Sequence, residues 1–98
     1  MPATGQPIPE ETFLLKLQVV ISNHCWGCQK ALTLAKLAAE RFSELRVAVV
    51  NLDEEPLAKP PQAIAVPAYI LDGTLLFLGN PSAEELFDRI SVRVRDIK

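Results

Sequence analysis

The stretch Leu14-Leu15-Lys16-Leu17-Gln18-Val19-Val20-Ile21-Ser22-Asn23-His24-Cys25-Trp26-Gly27-Cys28-Gln29-Lys30-Ala31-Leu32 decides how the chain is read. It begins inside a near-continuous apolar run, Phe13 to Ile21, the pattern of a central strand covered on both faces. Ser22 and Asn23 end that run. From Gln29 to Phe42 the residues are strong helix formers, with neither proline nor glycine. Leu32, Ala35, Ala39 and Phe42 recur at helical spacing, and Leu34, Leu37 and Ala38 widen the apolar face, so a helix packed on a sheet is expected. Between strand and helix lie the only two cysteines of the chain.

That location gives the cysteines chemistry. Cys25 falls at or just before the first helical turn, with Cys28 one turn further on. Unpaired N–H groups and the positive end of the helix dipole stabilise an anion there, and the thiolate is the form that attacks a disulfide. Cys25 is expected to be the exposed, attacking thiol and Cys28 the resolving thiol that cleaves the mixed disulfide. Gly27 gives the short loop steric freedom, and Trp26 offers an apolar surface beside the sulfur. A bridge over so short a span closes almost no loop and contributes little to stability, so reactivity is the better reason for it.

Other readings of the pair stay open. A Cys-x-x-Cys is half of a tetrahedral zinc site, but there is no second pair and His24 is the single histidine, so carboxylates or another chain would have to complete it. Cysteines packed in the core, or a cluster bridged between subunits, are further options. His24 either supports the Cys25 thiolate when protonated or is a solvated loop residue.

The rest of the chain supplies the frame. Residues 1–12, with prolines at 2, 7 and 9, read as a flexible arm before a single domain spanning 13–98. Arg46 to Leu52 is a short β-rich run; Pro56, Pro60 and Pro61 then leave room for at most a turn or so of helix. Ala68 to Leu71 and Leu75 to Leu78 flank Asp72-Gly73, a hairpin signal. Ser82-Ala83-Glu84-Glu85 is a capping box opening a last helix that fades near Arg93 to Lys98. Pro67 precedes a strand, where its missing N–H matters least; trans is the usual state of such a bond, and the sequence alone does not separate it from cis. The order is β-α-β-β-β-α, an α/β fold with a mixed sheet of about four strands and helices on its faces.

Composition sets the outer limits. The 98 residues, 49% hydrophobic and 22% charged, suit one soluble globular domain, expected to be a monomer. The ten basic residues form no stripe and the net charge is −2, so neither a nucleic-acid footprint nor attraction to anionic lipid is expected. No stretch approaches the roughly 20 apolar residues of a membrane span, and the N-terminus lacks the signal-peptide pattern, so the expected compartment is the cytoplasm.

Taken together, the strand, Cys25-Trp26-Gly27-Cys28 opening a helix, Val49-Val50-Asn51-Leu52-Asp53, Val66-Pro67-Ala68, the Asp72-Gly73 hairpin and Gly79 resemble the thioredoxin superfamily. The match runs from about Leu15 to Ile90 and implies a thioredoxin-like fold. It also implies thiol–disulfide oxidoreductase or electron-carrier activity in cell redox homeostasis, with no cofactor or metal. Protein disulfides or dithiols and an unidentified reductase would be the partners. By the same resemblance Cys25 and Cys28 are the catalytic, redox-active pair, Pro67 is the cis-proline beside their disulfide, and Trp26, Gly27, Val66, Pro67 and Gly79 line the substrate groove. The chain departs from the family in four ways. It has no room for the extra strand and helix that begin full-length thioredoxins, and looks like the glutaredoxin-sized form. Trp26-Gly27 is neither Gly-Pro nor Pro-Tyr. Val19 and Val49 stand where thioredoxins carry a buried aspartate and lysine. Gly79-Asn80-Pro81-Ser82 replaces the glutathione-binding signature of glutaredoxins. The alternative, favoured by Val19 and Val49 in place of the charged pair, is a non-enzymatic thioredoxin-like binding or redox-sensing module.

Overall fold

In the computed structural model, which describes residues 14–97, the elements are β1 (Leu15–Ile21), α1 (Cys28–Arg41), β2 (Leu45–Asn51), β3 (Ala68–Leu71), β4 (Thr74–Leu78) and α2 (Ala83–Ile97). The N-terminal arm and Phe13, the expected first residue of β1, lie outside the described residues. One sheet has the order β2-β1-β3-β4. β2 runs parallel to β1, with Leu15 opposite Leu45 and Val19 opposite Val49, and the connection is α1. β3 is antiparallel to β1, and β4 returns antiparallel to β3 with a register shift between Tyr69 and Ile70.

β1 is the central strand, but it is not covered evenly. Leu15, Leu17, Val19 and Ile21 join one core with Ala31, Leu34, Ala35 and Ala38 of α1 and Leu86, Ile90 and Val94 of α2. Strand side chains alternate between faces, so both helices cover the same face of the sheet. The other face is covered near the carboxyl end of β1, where Val20, Val50, Ala68 and Ile70 pack with Ala63 from the β2–β3 connection. Toward its start Lys16 is exposed and Gln18 half-buried on that side. The three prolines explain this: the connection forms only a 3-10 turn, Pro56–Ala58, and a loop, tied to the hairpin by the Gln62 amide donating to the Gly73 carbonyl.

The helix stripe also differs from its expected position. Ala31, not Leu32, carries the buried line of α1; Leu32, Leu37 and Ala39 are exposed. Three leucines and four alanines allow more than one apolar stripe at helical spacing, and the direction of α1 across the sheet selects among them. α2 follows the sequence closely. The Ser82 N–H donates to Glu85 Oε1 and the Glu85 N–H donates back to Ser82 Oγ, both at 3.1 Å.

The hairpin is locked to β1 as well as to itself. Asp72 and Gly73 both have positive φ, 48° and 82°, as a two-residue turn between twisted strands requires. The Lys16 N–H donates to Asp72 Oδ1, and the Asp72 N–H donates to the Lys16 carbonyl, each at 2.9 Å. Leu17 is fully buried between these anchored strands and the helices, whereas Leu37 is 40% exposed. Leu17→Ala should therefore cost about 2–5 kcal/mol and Leu37→Ala no more than about 0.5 kcal/mol, read as midpoint shifts in urea unfolding at constant slope.

Candidate active site

The carboxyl end of β1 and the start of α1 are joined by residues 22–27, and the cysteines close a disulfide there with their Cα atoms 5.4 Å apart. Cys28 is itself the first helical residue, rather than one turn inside the helix, and Cys25 lies in the turn before it. The reason is Gly27, the residue before the helix, whose left-handed φ of 92° lets the chain turn into α1 without a side-chain cap. No acidic residue occupies the first turn, so the positive end of the helix is left to the sulfurs. Cys28 is only 4% exposed and packs in the core; Cys25 is half-buried at the rim.

The sequence-predicted residues gather at this end of the sheet. Trp26 is 99% exposed at the loop tip, and His24 is exposed in the turn before Cys25. The Val66–Pro67 bond is cis, and the Pro67 carbonyl accepts from the Gly79 N–H at 2.7 Å. Gly79 has φ 85° and open space where a Cβ would stand. Val66 is half-buried between the two cores. Val19 is fully buried in the core that holds Cys28, and Val49 beside it on β2 is 41% exposed. No buried carboxylate lies among the described residues, nor any group of three or more metal-ligating side chains.

Two features were not read from the sequence. On one side of the disulfide a cavity of about 140 Å³ is lined by both cysteines, Asn23, Gln29, Leu32 and Asn51. Its rim is stitched together: Asn51 Nδ2 donates to Asn23 Oδ1 at 2.9 Å, and the Asn23 N–H donates to Asp53. Elsewhere at the site, the Asn80 side chain accepts from the Tyr69 hydroxyl at 2.6 Å and donates to the Gly27 carbonyl at 2.8 Å. A signal for the second existed. Tyr69 is the sole tyrosine, in an apolar strand, and a buried phenol needs a partner. Which residue supplies it depends on where the chain goes after β4.

Burial pushes the Tyr69 hydroxyl from 10.0 up to about 12. In the unfolded chain this phenol ionises near its ordinary value, so its contribution to stability is complete below about pH 10 and is lost as pH rises through about 12. Between those limits the wild type should lose stability more steeply than Tyr69→Phe in urea titrations; parallel losses would contradict a buried neutral phenol. At Gly27 a Cβ would meet Asn80 Nδ2 at 3.0 Å, on a backbone that side chains rarely adopt. Gly27→Ala should lower stability by about 1–2 kcal/mol, measured in the same way.

Comparison with known proteins agrees with this geometry. No protein-family model matches the chain. A protein of Methanothermobacter marburgensis named "Probable Thioredoxin" is 31% identical over 81 residues, covering 80% of this chain and 94% of that protein. Among solved structures, a mutant thioredoxin from Halobacterium salinarum superposes with a TM-score of 0.69 at 25% identity, covering 82% of this chain and 74% of that one. Oxidised thioredoxin from Plasmodium falciparum gives 0.65 at 15% identity, covering 83% and 82%, a likeness of fold alone. With a dithiol-spaced pair bridged at the start of α1 and a relative of this similarity spanned almost end to end, the chain belongs to the thioredoxin family.

Proposed function

We propose that the protein is a thiol–disulfide oxidoreductase, or electron carrier, that exchanges disulfides with protein partners through Cys25 and Cys28. The observation that carries this is the unequal burial of the pair at a helix start: Cys25 at the rim can meet a partner, while Cys28 at 4% exposure can meet only Cys25. Family membership supports a thiol–disulfide redox role in general.

In the reducing direction the Cys25 thiolate attacks one sulfur of a partner disulfide, and the other partner sulfur leaves as a thiolate that takes up a proton. A mixed disulfide now joins Cys25 to the partner. The Cys28 thiolate then attacks Cys25 Sγ, forming the intramolecular bridge and expelling the second partner thiolate. Two electrons have passed to the partner, and a separate reductase returns the pair to its dithiol form. The exposed Trp26, the backbone at Val66 and the open position at Gly79 form the surface against which an extended partner segment lies in this reading. A monomeric protein working in the cytoplasm belongs to the same proposal; no described helix is long and apolar enough to cross a membrane.

A second reading, a thioredoxin-like module that binds or senses without turnover, draws on one observation. Val19, in the core that holds Cys28, and Val49 opposite it on β2 are aliphatic where the resemblance implies a buried aspartate and lysine. Trapping separates the two. With a disulfide-bearing protein substrate, Cys28→Ser should accumulate a mixed disulfide through Cys25, Cys25→Ser should accumulate none, and only the wild type should turn over. Absence of turnover in the wild type, with partner binding retained, would favour the module.

A further inference from the structure

The amide of Asn80 links Tyr69 of the buried sheet to the backbone of the cysteine loop. We propose that Asn80 is a positioning residue: anchored by Tyr69, it holds the Gly27 carbonyl so that the two thiols of the reduced protein stay within bonding reach. This rests on the reading of Cys25 and Cys28 as an exchanging pair.

The geometry is closed at each end. Tyr69 is fully buried on β3, opposite Val19 of β1 and Phe77 of β4, with its ring edge-on to Phe77 at 6.3 Å between centroids. Its hydroxyl donates to Asn80 Oδ1, and Asn80 Nδ2 donates to the Gly27 carbonyl. A carbonyl only accepts, which fixes the amide orientation without appeal to the phenol. The same carbonyl accepts the Ala31 N–H at 3.2 Å, so both its lone pairs are engaged, one by the helix and one by Asn80. The neighbour of Asn80, Gly79, bonds the Pro67 carbonyl, so two consecutive residues tie the cysteine loop and the cis-proline loop to one strand end.

The consequence falls on the dithiol. In the oxidised protein the sulfur–sulfur bond itself closes the loop. The Cys28 N–H to Cys25 carbonyl contact is long even with that bond in place, at 3.4 Å, so once the bond is broken Gly27 has the backbone freedom to swing. The bond from Asn80 removes that freedom. Losing it spreads the reduced loop over more conformers and lowers the effective concentration of Cys28 at Cys25.

Equilibration with glutathione reads this directly. Protein dithiol and glutathione disulfide give protein disulfide and two glutathione thiols; one sulfur–sulfur bond forms, one breaks, and two electrons and two protons pass to glutathione. The oxidised fraction is counted by alkylation and mass spectrometry for the wild type, Asn80→Ala, Asn80→Leu, Tyr69→Phe and the Tyr69→Phe/Asn80→Ala double variant. The constant for disulfide formation should fall about tenfold in both Asn80 variants, a potential about 30 mV more positive for a two-electron couple. Tyr69→Phe should fall less, and adding it to Asn80→Ala should change nothing further.

A purely structural Asn80 would lower the melting temperature of the oxidised variants yet leave the constant unchanged. That outcome, with the wild type exchanging normally, overturns the proposal and spares the redox reading. Additive losses in the double variant overturn the relay through Tyr69. A wild type that does not exchange at all removes both. Should the Asn80 variants fail to fold, an unchanged constant in Tyr69→Phe is enough to reject the role.

Discussion

β1 runs between β2 and β3, and its residues Leu15, Leu17, Val19 and Ile21 must be buried by both helices at once. That requirement positions nearly everything else. α1 has to return across the same face to bring β2 alongside in parallel, so its first residue sits at the carboxyl end of β1. The cysteines lie in that crossing. Cys28 is drawn into the core as part of the buried line of α1, while Cys25, still in the turn, stays at the rim. The unequal burial on which the proposed two-step exchange depends is thus a by-product of how the helix meets the strand.

The second half of the chain completes the site from the other side. β3 pairs with β1 and brings the cis-proline to the same strand end; β4 returns and delivers Gly79 and Asn80. Backbone bonding from Gly79 and side-chain bonding from Asn80 then connect pieces of chain far apart in sequence. The buried face near the site is also the best covered part of the sheet's second face, where Val20, Val50, Ala68 and Ile70 meet Ala63. Farther along β1 that face opens, with Lys16 and Gln18 on it. Burial is concentrated where geometry must be held.

The fold and the place of the cysteine pair were legible for a physical reason: strand, helix and turn signals are local. The helix-forming run after Cys28, the capping box at Ser82 and the Asp72-Gly73 turn each depend on neighbours within a few residues. What misled was also local. Leu32 and Leu37 fit a helical stripe as well as Ala31 does, yet the alanine is buried, because a small residue lets α1 lie close to the sheet. Likewise the apolar run of β1 suggested equal cover on both faces. The prolines between β2 and β3, which limit that cover to a turn and a loop, were visible but their consequence for the sheet was not.

By itself the sequence determined the order of elements, the placing of Cys25 and Cys28 at a helix start, and the turn chemistry at Gly27 and Asp72-Gly73, since each follows from spacing and backbone preference. Tertiary structure alone decided that both helices share one face, how deeply Cys28 is drawn into the core, that Gly79 bonds the Pro67 carbonyl, and that Asn80 spans from Tyr69 to Gly27. These depend on contacts between residues dozens of positions apart, whose partners are set only when strand order and helix packing bring them together.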